Sequence, residues 1–282
     1  MQDSKSKKIV FLNGKFMPMG DVKLSVFSPG FFYGFGLFET MRSYNNKIVY
    51  LDQHIKRIKN SCRLIGIRLN YSADKLKDMI KKTITINKLK DTYARLTIWK
   101  SFKGTDILIW AKTYKRYSTL KYNRGFRVYI SRYKQNENSF FSQYKTTNRL
   151  LYELAFQEAK QKGYDETIML NNRGYITECS RSNIFFIKDK QLFTPSLSSG
   201  CLAGITRRAV FDLAKKYNIK IYEGNLTLQD LYEIDEAFLT NSLMGVMPLA
   251  SVEKHRLAKG VNNFKLTRFF IRKYNCLLKN GT

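Results

Sequence analysis

The sequence is poor in the residues that build most metal and disulfide sites. It carries two histidines, His54 and His255, in 282 residues. That scarcity excludes a histidine-rich metal centre and leaves Ser-His-Asp catalysis few possible members. Four cysteines, Cys62, Cys179, Cys201 and Cys276, form no Cys-x-x-Cys pair. Neither a zinc site nor a disulfide framework is indicated, as suits a reducing compartment. Four prolines and sixteen glycines are too few for a disordered or low-complexity chain. No apolar run approaches the ~20 residues of a membrane helix. The opening "MQDSKSKKIVFLNG" has basic residues with no long apolar segment behind them. The expectation is a cytoplasmic chain with no signal peptide and no membrane contact.

Acidic residues are also scarce: 22 against 50 basic, a net charge of +28. A field of that sign draws in anions, whether nucleic acid or a small acidic substrate. The basic residues are scattered through helices and turns rather than gathered in an arm, which favours a solvated charge over a docking surface. A nucleic-acid-binding module is the rival class, but the sequence shows no RNA-binding motif and no recognisable helix-turn-helix. What is present in quantity is core material: 44% of residues are hydrophobic and 14% aromatic. That supports one large domain or two small ones.

"KIVFLNGKFM" reads as a hairpin turning at Asn13-Gly14, and "LFETMRSYNNKIVYL" as another turning at Asn45-Asn46. Leu51, Ile55, Ile58, Cys62 and Ile65 lie on one face of an amphipathic helix. Ser72 caps a second helix that turns Leu76, Met79, Ile80 and Thr83 inward. "YARLTIW" and "DILIWAKT" read as strands. The polar, aperiodic stretch Tyr114 to Gly125 marks a domain boundary. Beyond it come a strand "FRVYIS", a helix from about Asn148 to Lys162, strands "ETIML", "GYITE", "NIFFI" and "QLFT", and a helix from Gly204 to Tyr217. A strand "IKIYE", a short helix near Thr227, a strand "EAFLT" and a C-terminal helix complete the pattern. Hairpins with helices packed around them make an α+β fold.

"GFGLFE" resembles a dinucleotide loop but fails, because Glu39 stands at its sixth position and a strand follows. Gly30, Gly34 and Gly36 instead allow close backbone packing. In "LAGITRRAV", Gly204, Ile205 and Thr206 open a helix whose first amides lack intrahelical partners. Those amides, a hydroxyl and the positive helix end can cradle a phosphate, although such a start is more often an ordinary cap. Thr240, Asn241 and Ser242 at a strand end can add donors, or form a polar turn. Arg57 can offer a phosphate a bidentate fork, or be solvated. Lys145 sits beside Thr146, Thr147 and Asn148 just ahead of a helix, a setting that can desolvate a nucleophilic amine. Glu178 follows an apolar strand, where a buried carboxylate needs a cation such as a protonated pyridine nitrogen. Lysine, carboxylate and anion cradle are the three fixtures that pyridoxal phosphate requires.

The order of "FFYGFGLFETMR", "LDQHIKRI", "YKTTNRLLYELA", "DETIMLNNRGYITECSRSNIFFI", "TPSLSSGCLAGITRRAV" and "AFLTNSLMGVMPL" resembles the class IV aminotransferase family, the fold-type IV pyridoxal phosphate enzymes. The resemblance runs from about Phe11 to Leu249. It implies a small N-terminal domain over 1–117, a linker over 118–125 and a larger cofactor-binding domain over 126–282, with a site between the domains and a homodimer completing it. It implies Lys145 as covalent anchor and proton carrier, and Glu178 facing the pyridine nitrogen. Arg57, Gly204, Ile205, Thr206, Asn241 and Ser242 match phosphate contacts, and Leu202 the residue against the ring. Phe38 matches a pocket aromatic. Lys100 stands where D-amino acid enzymes place a carboxylate-gripping arginine. Phe35 replaces a frequent aspartate. Within the family, "KTTNRL" and "TNSLMGVMPL" look most like 4-amino-4-deoxychorismate lyase, which releases pyruvate to give 4-aminobenzoate. The alternative is amino transfer between branched-chain or D-amino acids and 2-oxo acids.

Overall fold

The computed structural model describes residues 8–44, 47–257 and 264–280. The first seven residues and the Asn45-Asn46 turn lie outside them. The chain groups into two compact units. One holds residues up to Lys115 together with Lys145–Asn148, and the other holds Arg116–Tyr144 and Arg149–Asn280.

The N-terminal unit contains β1 (Ile9–Leu12), β2 (Lys15–Pro18), α1 (Pro29–Phe32), β3 (Gly36–Tyr44), β4 (Lys47–Ile48), α2 (Leu51–Leu64), α3 (Ala73–Ile86), β5 (Thr92–Ser101) and β6 (Gly104–Thr113). Among the described residues its strands form one antiparallel sheet of order β2-β1-β6-β5-β3-β4. Asn13 and Gly14 both take positive φ at the first turn, as that dipeptide allows. The Ser72 hydroxyl accepts from the Lys75 amide and caps α3. The predicted faces of α2 and α3 are buried at Ile55, Ile58, Leu76 and Ile80, as are Leu37, Met41, Leu96 and Ile98 on β3 and β5, strands on which these helices lie. Each such side chain contributes roughly 1.5–3 kcal/mol on leaving water.

The second unit contains α4 (Thr119–Arg124), β7 (Phe126–Gln135), α5 (Leu150–Gln161), β8 (Glu166–Asn171), β9 (Ile176–Cys179), β10 (Asn183–Lys188), β11 (Gln191–Pro195), α6 (Ile205–Lys216), β12 (Ile221–Gly224), β13 (Glu236–Asn241), β14 (Gly245–Val252), β15 (His255–Arg256) and α7 (Lys265–Asn280). Its sheet runs β12-β11-β10-β13-β14-β7-β8-β9, with β15 on β14. Strands β11/β12, β14/β7 and β7/β8 pair in parallel and the rest antiparallel. A bridge from Ile176 to Leu226, just past β12, brings the two sheet edges together, so the sheet curls back on itself. Val128, Ile168, Ile184, Leu239, Met247 and Leu249 fill its core. The polar stretch at 114–125 contains α4, capped by the Ser118 hydroxyl, which accepts from the Lys121 amide. The fold is α+β. No helix among the described residues is long and apolar enough to cross a membrane.

Candidate active site

In the N-terminal unit, Lys145 reaches its place by strand addition. The Phe38 amide donates to the Lys145 carbonyl at 2.9 Å, and the Thr147 amide to the Gly36 carbonyl at 2.8 Å. The Thr147 hydroxyl donates to the Gly34 carbonyl at 2.7 Å. The segment can come this close because residue 36 is glycine. A Cβ there would lie 2.9 Å from the Ile98 carbonyl and 3.0 Å from Thr147 Oγ1. The glycines of "GFGLFE" thus serve close backbone packing, as expected from the sequence.

The Lys145 ammonium lies 4.7 Å from the centre of the Phe38 ring. Arg95, on β5, stacks on the same ring at 3.8 Å. Lysine, ring and arginine therefore form one cluster on a face of β3 and β5. Arg95 is absent from the residues expected at the site. Its only sequence signal is the alternation of Tyr93, Arg95 and Thr97 along β5 against the buried Ala94, Leu96 and Ile98. Lys100 lies farther along β5, paired with Thr105, and its amide donates to the Phe35 carbonyl at 2.9 Å.

Beside this cluster, Arg57 Nε and Nη2 donate to Glu39 Oε1 and Oε2, each at 2.7 Å. His54 Nδ1 lies 2.7 Å from the same carboxylate. Burial alone would raise the Glu39 pKa. The Arg57 charge first, then the His54 ring, with hydrogen bonds from both, outweigh it and bring it down to about 2. Burial pushes His54 the other way, toward the neutral ring, against the pull of Glu39. Because the carboxylate is ionised, His54 Nδ1 carries the proton and donates it.

In the second unit, Glu178 is 4% exposed. Leu202 donates its amide to Glu178 Oε2 at 3.2 Å. Gln135 Nε2 lies 3.4 Å from Oε1 and Asn183 Nδ2 3.4 Å from Oε2, each donating. Tyr152 also hydrogen-bonds to Glu178, and burial followed by the Glu178 charge pushes the phenol pKa up. The carboxylate thus stands among donors and is held as an acceptor. Gln135, Tyr152 and Asn183 have no local sequence signal of this duty, since two of them reach Glu178 from distant positions in the chain.

Helix α6 starts at Gly204, which makes no side-chain cap. Its first-turn amides have no intrahelical acceptors by helix geometry. Thr206 is 2% exposed, and its Oγ1 is buried without a hydrogen-bond partner, as is Thr240 Oγ1 at the end of β13. Ile205 is the first helical residue. The Asn241 side chain is committed to its own turn. It accepts from the Leu243 and Met244 amides at 3.0 and 2.9 Å and donates to the Arg181 carbonyl at 3.1 Å. Ser242 follows it, half-buried. Orphaned buried hydroxyls at an uncapped helix start fit a phosphate, and a carboxylate set among donors fits a protonated ring nitrogen. Among the described residues, no group of His, Cys, Asp or Glu side chains gathers that could hold a metal ion.

A family model described as amino-transferase class IV matches residues 36–252. The chain belongs to the class IV aminotransferase family. It is 33% identical to a probable branched-chain-amino-acid aminotransferase of Aquifex aeolicus, over 92% of this chain and 89% of that one. It is 30% identical to the aminodeoxychorismate lyase of Bacillus subtilis, over 87% of each. Among solved structures it resembles the branched-chain amino acid aminotransferase of Escherichia coli, with a TM-score of 0.92 and 27% identity over 98% of this chain and 96% of that one. Another solved branched-chain amino acid aminotransferase that it resembles carries pyridoxamine 5'-phosphate. Class IV aminotransferases are pyridoxal phosphate enzymes of fold type IV, so the chain is an enzyme and pyridoxal phosphate is its cofactor.

Proposed function

We propose that this class IV enzyme transfers amino groups between branched-chain amino acids and 2-oxo acids. The observation that carries this reading is the 33% identity to a branched-chain enzyme across 92% of the chain. It reverses the order set by the motifs "KTTNRL" and "TNSLMGVMPL", which put the lyase first. The lyase stays as a second reading on the strength of the Bacillus subtilis relative.

Bound pyridoxal phosphate supplies an aldehyde that accepts amino groups and a ring that draws electrons from the substrate carbon. The rest is the work of this chain. Lys145 provides the amine that anchors the cofactor and moves a proton at the substrate carbon. Glu178 would accept the proton of the ring nitrogen, its oxygens fixed by Gln135, Asn183 and the Leu202 amide. The amides of Ile205 and Thr206, the Thr206 hydroxyl, the chain at Asn241-Ser242 and Arg57, oriented by its pairing with Glu39, would hold the phosphate. Gly204 gives α6 its bare start, and Leu202 would lie against the ring. Phe38 shapes an apolar pocket, and Arg95 or Lys100 takes a substrate carboxylate. Of those two, Arg95 shares the Phe38 ring with Lys145.

The test is product analysis. Amino exchange between leucine and 2-oxoglutarate supports the proposal. Steady pyruvate release from 4-amino-4-deoxychorismate, without such exchange, would put the lyase in its place. Arg95→Met should raise KM for a dicarboxylic 2-oxo acid about tenfold while changing KM for a branched-chain one less. Equal changes for both would remove Arg95 from this role.

The quaternary state we propose is a homodimer. Phe27, Phe31, Phe32 and Tyr33 are 64%, 69%, 54% and 74% exposed, an aromatic run that a second copy would cover. Phe31→Asp should move the sedimentation coefficient toward the monomer value. An unchanged coefficient assigns the interface elsewhere.

A further inference from the structure

We propose that Asn183 is a positioning residue that couples the Glu178 carboxylate to the start of α6, so that ring-nitrogen contact and phosphate grip are set together. The proposal rests on the cofactor reading above. Asn183 is 6% exposed, on β10 opposite Thr240 of β13. Its neighbours along the strand, Ile184 to Ile187, are apolar and buried. A buried carboxamide in such a strand is costly unless its polar atoms are used. Here one nitrogen serves two acceptors: Nδ2 donates to the Leu202 carbonyl at 2.8 Å and toward Glu178 Oε2 at 3.4 Å. The Leu202 amide donates to that same Oε2. Glu178, Asn183 and Leu202 therefore close a triangle in which none moves alone.

The other end of the amide explains a glycine. Gly204 has φ −69° and ψ 141°, a conformation open to any residue. It is not needed for backbone freedom. A Cβ at position 204 would lie 2.0 Å from Asn183 Oδ1. Glycine is there because Asn183 occupies the space, and no side chain can enter without displacing the amide. One side chain thus touches the Glu178 carboxylate, the Leu202 backbone and the residue before the first turn of α6. A shift at either cofactor contact is transmitted to the other through it.

The experiment is equilibrium binding of pyridoxal 5'-phosphate to the metal-free, cofactor-stripped full chain. Wild type, Asn183→Ala, Gly204→Ala and the double variant are compared. Each single change is expected to weaken binding about tenfold or more. The double variant should bind no more weakly than Gly204→Ala, because truncating Asn183 removes the atom that the new methyl strikes. A second readout uses the isosteric Asn183→Asp, which places another carboxyl against Glu178. It should move the pH midpoint of the holoprotein's visible band by about one unit. A residue that merely supported the fold would lower the melting temperature without moving that midpoint. Independent, multiplying losses in the double variant, together with a wild-type midpoint in Asn183→Asp, would overturn the coupling. If wild type itself fails to bind pyridoxal 5'-phosphate, it is the cofactor reading that falls, and the two failures are distinct.

Discussion

Lys145→Ala is expected to lower turnover about 10⁴-fold, the upper range for loss of a positioned proton carrier, and to abolish covalent retention of the cofactor. The size of the loss follows from the neighbours of Lys145. Arg95, which shares the Phe38 ring, and Arg57 both carry guanidinium groups, which offer donors and no acceptor for a proton. His54 is spent on Glu39, and burial holds its ring toward the neutral form. Among the described residues, none of these three is suited to the vacated duty. The check is a single-turnover assay together with the visible spectrum after gel filtration, which should lose the band of the attached cofactor. A variant that keeps a tenth of wild-type turnover would remove Lys145 from the centre of the mechanism.

The second large effect is on stability. Glu39→Ala should cost about 3 kcal/mol, because it strips the anion from a buried histidine and a half-buried arginine instead of replacing the group as a whole. Urea unfolding measures it, and a cost under about 1 kcal/mol would show that Arg57 and His54 find other partners. The same carboxylate predicts an acid limb. Its pKa falls from an ordinary 4.5 to about 2, which is worth about 3 kcal/mol of folding free energy. Since the folded form holds the proton less tightly, that contribution is complete above about pH 5 and is lost as the pH falls toward 2. The Glu39→Ala chain should lack this limb. The change should also weaken catalysis, because Arg57 would lose the carboxylate that fixes its fork.

The elements that the sequence announces are those with a local cause. Helices α2 and α3 repeat their apolar residues at helical spacing, and Asn13-Gly14 suits positive φ, so both are legible. Strand β14 is not. It runs through the middle of its sheet yet contains Pro248, opposite Phe238, and proline is the usual sign against a central strand. Helix α4 hides in a polar stretch because one turn and a half carries too little periodicity to show. At the site, Lys145, Glu178 and Thr206 stand out through their chemistry and local setting. Arg95, Gln135 and Asn183 do not, because their importance comes from partners brought close only by the fold. Glu39 enters as the residue that spoils a dinucleotide loop, and the structure gives it a positive duty.

The Lys145–Asn148 patch belongs with β3, although the chain on both sides of it belongs to the other unit. During synthesis the N-terminal unit therefore waits for a piece made well after its own last strand, β6. Residues up to Lys115 can gather their core as they emerge, but without Lys145. A chain cut near 116 would keep those strands and lose the segment that pairs with Gly36 and Phe38, and with it the amine proposed above to carry the chemistry.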